Sequence, residues 1–144
     1  MASWADFETE APELAARVRE RLEAHKHKTI ATLRRDGSPR ISGTEVELRD
    51  GALWIGSGWD ALKARDLRRD PRFALHSGSD EPDDWQGDAK LAGAAHTSGR
   101  EEGDVCHFRL DLEEVSTVGL DDARTHLVIE VWTPGGGVRK LTRS

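Results

Sequence analysis

The sequence predicts a mainly β domain, a small antiparallel barrel of six to seven strands with an N-terminal helix and one short inserted helix. Three observations predict it. Apolar residues come in short runs of strand length. Asp50-Gly51 between two such runs signals a two-residue hairpin, which forces antiparallel neighbours. Helical spacing occurs in only two places.

Taken in order, residues 9–26 place Leu14, Val18 and Leu22 four apart, with Pro12 near the start and Thr9 as the expected cap, so they predict an amphipathic helix within a helical segment over 1–27. "KTIATLRR" predicts a strand, "DGSP" a turn, and "RISGTEVELR" a second extended segment. "ALWIGS" follows the Asp-Gly turn as a third. A short helix is expected over roughly 60–69, with Leu62 and Leu67 on its buried side and Asp70-Pro71 as its stop. "RFALHSG" is a strand. "DAKLAGAAHTS" is extended, its Gly93 marking a bulge or a close backbone approach. "DVCHFRLDLEEV" alternates with a slip in phase, and "THLVIEVW" is the clearest strand of all. "TPGGG" turns into a tail, "VRKLTRS".

A chain of 144 residues suits one domain, 1–144, with a real core. With 36% apolar and 33% charged residues, that core is thin unless a second subunit covers apolar surface, so a homodimer is expected. The net charge is −6 and the arginines are interleaved with acids, which disfavours nucleic acid as a partner. No segment approaches the ~18 consecutive apolar residues of a membrane span, and the acidic start does not read as a signal peptide; the expected location is cytoplasmic, with no membrane association. The single cysteine, Cys106, allows no internal disulfide and no cysteine-based metal cluster, and is expected as a small core residue.

The stretch "GSGWDALKARDLRRDPR" carries the chemistry. Gly56, Gly58 and Ala61 form G-x-G-x-x-A between a strand and a helix, yet the antiparallel context argues against a dinucleotide fold, and no P-loop motif is present. What survives is an anion site: backbone N–H groups at a strand end, the Ser57 hydroxyl and Lys63 one turn into a helix. The competing reading makes Lys63 and the arginines a solvated face paired with Asp66 and Asp70. Arg65, Arg68 and Arg69 are assigned to that face. His25, His27, His76, His96, His107 and His126 show no spacing that requires a metal. Trp59, beside the proposed phosphate loop, is the best candidate to stack on a flat ring.

These residues carry a resemblance. The "ATL-x-x-DG-x-P" hairpin, the "G-x-L-W-I-G-S" strand, a Lys-x-x-Asp-Leu helix, "DPR" and the small-residue strand "GDAKLAGAA" resemble, in order and content, the pyridoxamine 5'-phosphate oxidase-like family of flavin- and deazaflavin-binding split barrels. The resemblance implies a homodimeric six-stranded split barrel with its cofactor, FMN or a deazaflavin coenzyme, at the subunit interface. By position it implies Lys63 as the phosphate lysine, Ile55, Gly56 and Ser57 as the strand end lining the cofactor, Arg40, Ile41 and Ser42 as a second strand facing the ring, and Asp88 near the isoalloxazine. It implies no catalytic side chain. The second strand and C-terminus lack the cations that clamp a pyridoxamine phosphate, so a true pyridoxamine phosphate oxidase is not expected. The expected activity is hydride transfer with a small substrate, and the alternative is a non-catalytic protein that binds or stores flavin or haem on the same barrel.

Overall fold

A computed structural model describes residues 1–144. The chain runs α1 (Trp4–Glu10), α2 (Pro12–Ala24), β1 (Lys28–Leu33), β2 (Pro39–Thr44), β3 (Glu47–Arg49), β4 (Ala52–Gly58), α3 (Leu62–Arg69) and β5 (Arg72–His76). A 3-10 turn at Pro82–Asp84 then leads to β6 (Asp88–Thr97), β7 (Val105–Leu120), β8 (Leu127–Thr133) and β9 (Gly137–Arg143).

The expected N-terminal helix is two helices. Ser3 caps α1, its hydroxyl accepting from the Asp6 amide while the Asp6 carboxylate accepts from the Ser3 amide. Thr9 lies inside α1, and α2 opens at Ala11-Pro12 without a side-chain cap. The chain can break there because proline cannot donate the hydrogen bond that a continuous helix requires. Phe7 packs between Trp4, edge-on at 5.2 Å, and Trp132, tilted at 4.7 Å.

All strand pairs are antiparallel, in the order β2-β1-β5-β6-β7-β4-β3, with β8 on β7 and β9 on β8. The end strands β2 and β3 do not pair with each other, so the barrel is split. The β3–β4 hairpin turns at Asp50 and Gly51, both left-handed at φ 53° and 73°, as a two-residue loop of matching twist demands. Two extended segments outnumber the expectation. "RISGTEVELR" breaks at Glu45-Val46 into β2 and β3, and the presumed tail folds back as β9, register-paired along its length with β8.

β7 is the spine. Its first residues pair with β4, its last with β8, and β6 covers its other edge. In the β6–β7 pairing Ala92 meets Glu114 but Gly93 meets Leu112, so Glu113 is an extra residue. The alternation of β7 therefore slips after Leu112, and not between Val105 and Phe108 as the sequence suggested. The core lies between the sheet and the two N-terminal helices, with Trp4, Phe7, Val18, Leu53, Phe108 and Trp132 almost fully buried. Cys106 is buried there as a free thiol, and burial pushes its pKa up. No helix is long and apolar enough to cross a membrane.

Candidate functional site

The apolar run of β4 ends in Gly56-Ser57-Gly58, where the chain leaves the sheet and enters α3 through Ala61. Lys63, the second residue of this helix and not one turn in as expected, reaches back across the split of the barrel, and its Nζ donates to the Gly43 carbonyl of β2 at 3.0 Å. The ammonium stands in a pocket of about 350 Å³ formed with Gly43, Thr44, Gly56, His27 and Glu45. Burial lowers its pKa, and Glu45 of the same pocket pairs with Lys26 at 3.5 Å and not with Lys63. A partly desolvated cation whose only partner is a carbonyl is suited to receive an anion.

α3 turns Ala64, Asp66 and Leu67 inward, whereas Leu62, expected on the buried side, is 55% exposed. Asp66 is the correction of most consequence. It does not belong to a solvated face with Lys63: its side chain is 3% exposed and accepts from Arg40 Nε at 2.7 Å, Thr32 Oγ1 at 2.8 Å and Arg69 at 2.9 Å. Burial opposes its ionisation, but the hydrogen bonds from Arg40, Thr32 and Arg69 outweigh burial and hold the carboxyl below the ordinary carboxylate range. Asp70, also expected to pair with the helix cations, is instead chelated by Arg72, which brings its pKa down to about 2.

The structure brings some of the expected residues together and separates others. Gly56 and Lys63 share a pocket, and Ser57 follows Gly56 on β4 with its hydroxyl donating to the Gly58 carbonyl at 2.9 Å. Arg40 and Ser42 lie on one face of β2 by alternation, and Arg40 Nε is committed to Asp66. Ile41 points the opposite way and is 74% exposed, beside an apolar cavity of about 390 Å³ with Ala31, Ala74 and Ala92. The Ile55 side chain is buried in the core, so only its backbone is placed to line a cofactor. One face of the Trp59 ring is covered by Arg68, whose guanidinium carbon sits 3.7 Å from the ring centroid, which leaves that face closed to a flat ligand. Asp88 stands elsewhere, at the start of β6, accepting from Ser79 at 2.8 Å and from Trp85 Nε1 at 3.1 Å. No group of three or more His, Cys, Asp or Glu side chains is arranged to hold a metal ion.

Sequence reasoning passed over two contributors. Thr44 closes the lysine pocket from β2, and His107, opposite Gly56 in the β4–β7 register, stands where a side chain at Gly56 would meet it in ordinary contact, at 3.4 Å. The His107 Nδ1 lies 2.9 Å from a Glu101 carboxylate oxygen. Only the hairpin-like return of 101–107 onto β4 brings them there, and no local spacing announces it.

A family model described as pyridoxamine 5'-phosphate oxidase matches residues 14–119. The chain belongs to the pyridoxamine 5'-phosphate oxidase family. No curated protein matches it in sequence. Among solved members of this fold, ChuZ of Campylobacter jejuni superposes with a TM-score of 0.72 at 11% identity, over 90% of this chain and 63% of its own. PhzG of Burkholderia lata 383, solved with tetrahydrophenazine-1-carboxylic acid, gives 0.61 at 12% identity over 92% and 86%. HutZ of Vibrio cholerae, described as a heme storage protein, gives 0.57 at 18% identity over 72% and 90%. At such identities these likenesses concern the fold. The family and the split barrel are those that the sequence resembled.

Proposed function

We propose that this protein is a flavin- or deazaflavin-dependent oxidoreductase that transfers hydride to or from a small substrate and is not a true pyridoxamine phosphate oxidase. The observation that carries this reading is the partly desolvated Lys63 ammonium, which makes no ion pair in the pocket between the ends of β2 and β4, where Glu45 pairs with Lys26 instead. The donor set fits a phosphate. Lys63 supplies the charge, and the absence of a side chain at Gly43 and Gly56 gives an anion room to approach the backbone. When bound, FMN or the deazaflavin supplies the hydride chemistry itself. The chain binds the phosphate through Lys63 and Ser57, and Asp66 fixes the orientation of Arg40 on the face of β2 that it shares with Ser42.

The proposal includes a homodimer with the site at its interface. Ile41, Ala31, Ala74 and Ala92 leave an apolar hollow on the outer sheet face, and Val138 and Leu141 of the fully exposed β9 are 42% and 48% exposed. A second copy that covered them would supply the apolar burial that the composition lacks. A cytoplasmic location belongs to the same proposal, supported by a single buried cysteine with no disulfide partner in the chain.

Titration with FMN and with the deazaflavin, followed by tryptophan fluorescence, tests the reading. Lys63→Ala is expected to weaken the preferred coenzyme by about 10- to 100-fold, the worth of one charge-assisted contact. Its thermal midpoint should stay near that of the wild type, because Lys63 makes a single carbonyl contact. Unchanged coenzyme affinity would show that the phosphate lies elsewhere. The second reading, haem storage, draws support from the likeness to HutZ. It predicts a Soret band on haem addition and no catalytic turnover of the reduced coenzyme.

A further inference from the structure

β9 is the outermost strand of the sheet, paired with β8 along its whole length and with no strand on its other side. From Gly137 to Arg143 the pairing runs without a bulge, no proline interrupts it, and all seven residues are exposed. Such an edge presents a row of backbone N–H and C=O groups without partners, a template for one more strand. The other two end strands offer less. β3 has only three residues, and β2 gives its Gly43 carbonyl to Lys63.

The side chains of β9 select which strand can add. Arg139, Lys140 and Arg143 crowd into its second half, no acid lies anywhere on it, and none of the three cations makes an ion pair or a side-chain hydrogen bond, in a chain whose net charge is −6. The nearest acid is already taken: Glu130, directly opposite Lys140 on β8, pairs with Arg17 from α2. Alternation puts Arg139 and Arg143 beside Leu141 on one face and Lys140 beside Val138 on the other, so an added strand meets positive charge and apolar surface on both faces. Cations on an edge strand repel a like strand and attract one of opposite charge. The β9 of a second copy would bring two sets of cations together with no acid between them, and the dimer contact proposed above uses the faces of this hairpin, not its edge.

We infer that the outer edge of β9 is a docking site for an extended acidic segment of a partner protein, which adds to the sheet as a further strand. Main-chain hydrogen bonds supply the attachment, and the three cations supply the choice of partner. The surface is separate from the lysine pocket and does not rest on the flavin reading.

Fluorescence anisotropy of a fluorescein-labelled peptide, Glu-Val-Glu-Val-Glu-Val, titrated with the full chain tests it. The peptide is expected to bind and to weaken as salt is raised, whereas its Lys-Val counterpart should bind at least ~10-fold more weakly. The same acidic peptide methylated at every backbone nitrogen keeps its charge but cannot donate to a strand, and should also lose ~10-fold or more. Arg139→Gln/Lys140→Gln/Arg143→Gln should weaken the acidic peptide by about 10-fold, with its fold intact because the three side chains are exposed and unpaired. Lys63→Ala should bind the peptide as the wild type does. Sedimentation with saturating peptide should leave the oligomeric state unchanged; dissociation of a dimer would assign the edge to a second copy and overturn the inference. Failure of the acidic peptide to bind, equal binding of the lysine or the methylated peptide, or an unaffected triple variant would each overturn it too.

Discussion

Gly93→Ala is expected to cost about 3 kcal/mol or more of folding stability, because the added methyl has nowhere to go. A Cβ built there would lie 1.8 Å from the Asp111 carbonyl oxygen and 2.9 Å from its carbon. Both are backbone atoms, so no rotamer change relieves the clash; β6 and β7 must separate where Glu113 bulges out. Urea and thermal unfolding would measure the loss, with a fall of roughly 10 °C in the midpoint for a domain of this size. Gly119→Ala is the control: its nearest contact would be 3.8 Å, and it should be near neutral. A Gly93 variant within about 1 kcal/mol of wild type would mean that the bulge sits elsewhere.

Asp66→Ala is expected to lose about 3 kcal/mol, since it removes the common acceptor of Arg40, Arg69 and the buried Thr32 hydroxyl. The two arginines are 21% and 29% exposed and regain some hydration, which keeps the cost at the lower end for a buried pair. Asp66→Asn, which keeps the shape, should lose less. The pH dependence identifies the cause. The folded pKa of Asp66 is depressed, so its contribution is complete above the unfolded value and declines as pH falls through the folded one. The stability gap between wild type and Asp66→Ala should be full at neutral pH and shrink below about pH 4. A gap that persists unchanged in acid would exclude the ionised carboxylate as its source.

What was legible in the sequence was local. Asp50-Gly51 encodes its own hairpin, and Gly93 marks the bulge from the β6 side. The lysine of the candidate site could be singled out because strand end, glycines and helix are consecutive. Asp66 was misread because its partners Thr32 and Arg40 lie 34 and 26 residues away, and an acid among arginines looks solvated until the strands that cover it are placed. The spread of the predicted second strand over opposite faces has the same origin: Arg40 and Ile41 cannot face one ligand together once the alternation of β2 is fixed by pairing with β1. β9 escaped notice for a different reason. All seven of its residues are exposed, so no burial pattern is written into them.

β7 is hemmed on both edges for most of its length, by β4, the Ala2 backbone and β8 on one side and by β6 on the other. A strand so enclosed has no free side from which to peel, and its amides should exchange with deuterium only when the whole molecule opens. The cleft at the tip of β4 and the outer hairpin of β8 and β9 hang from this one element. They therefore melt in a single cooperative step instead of as separable pieces.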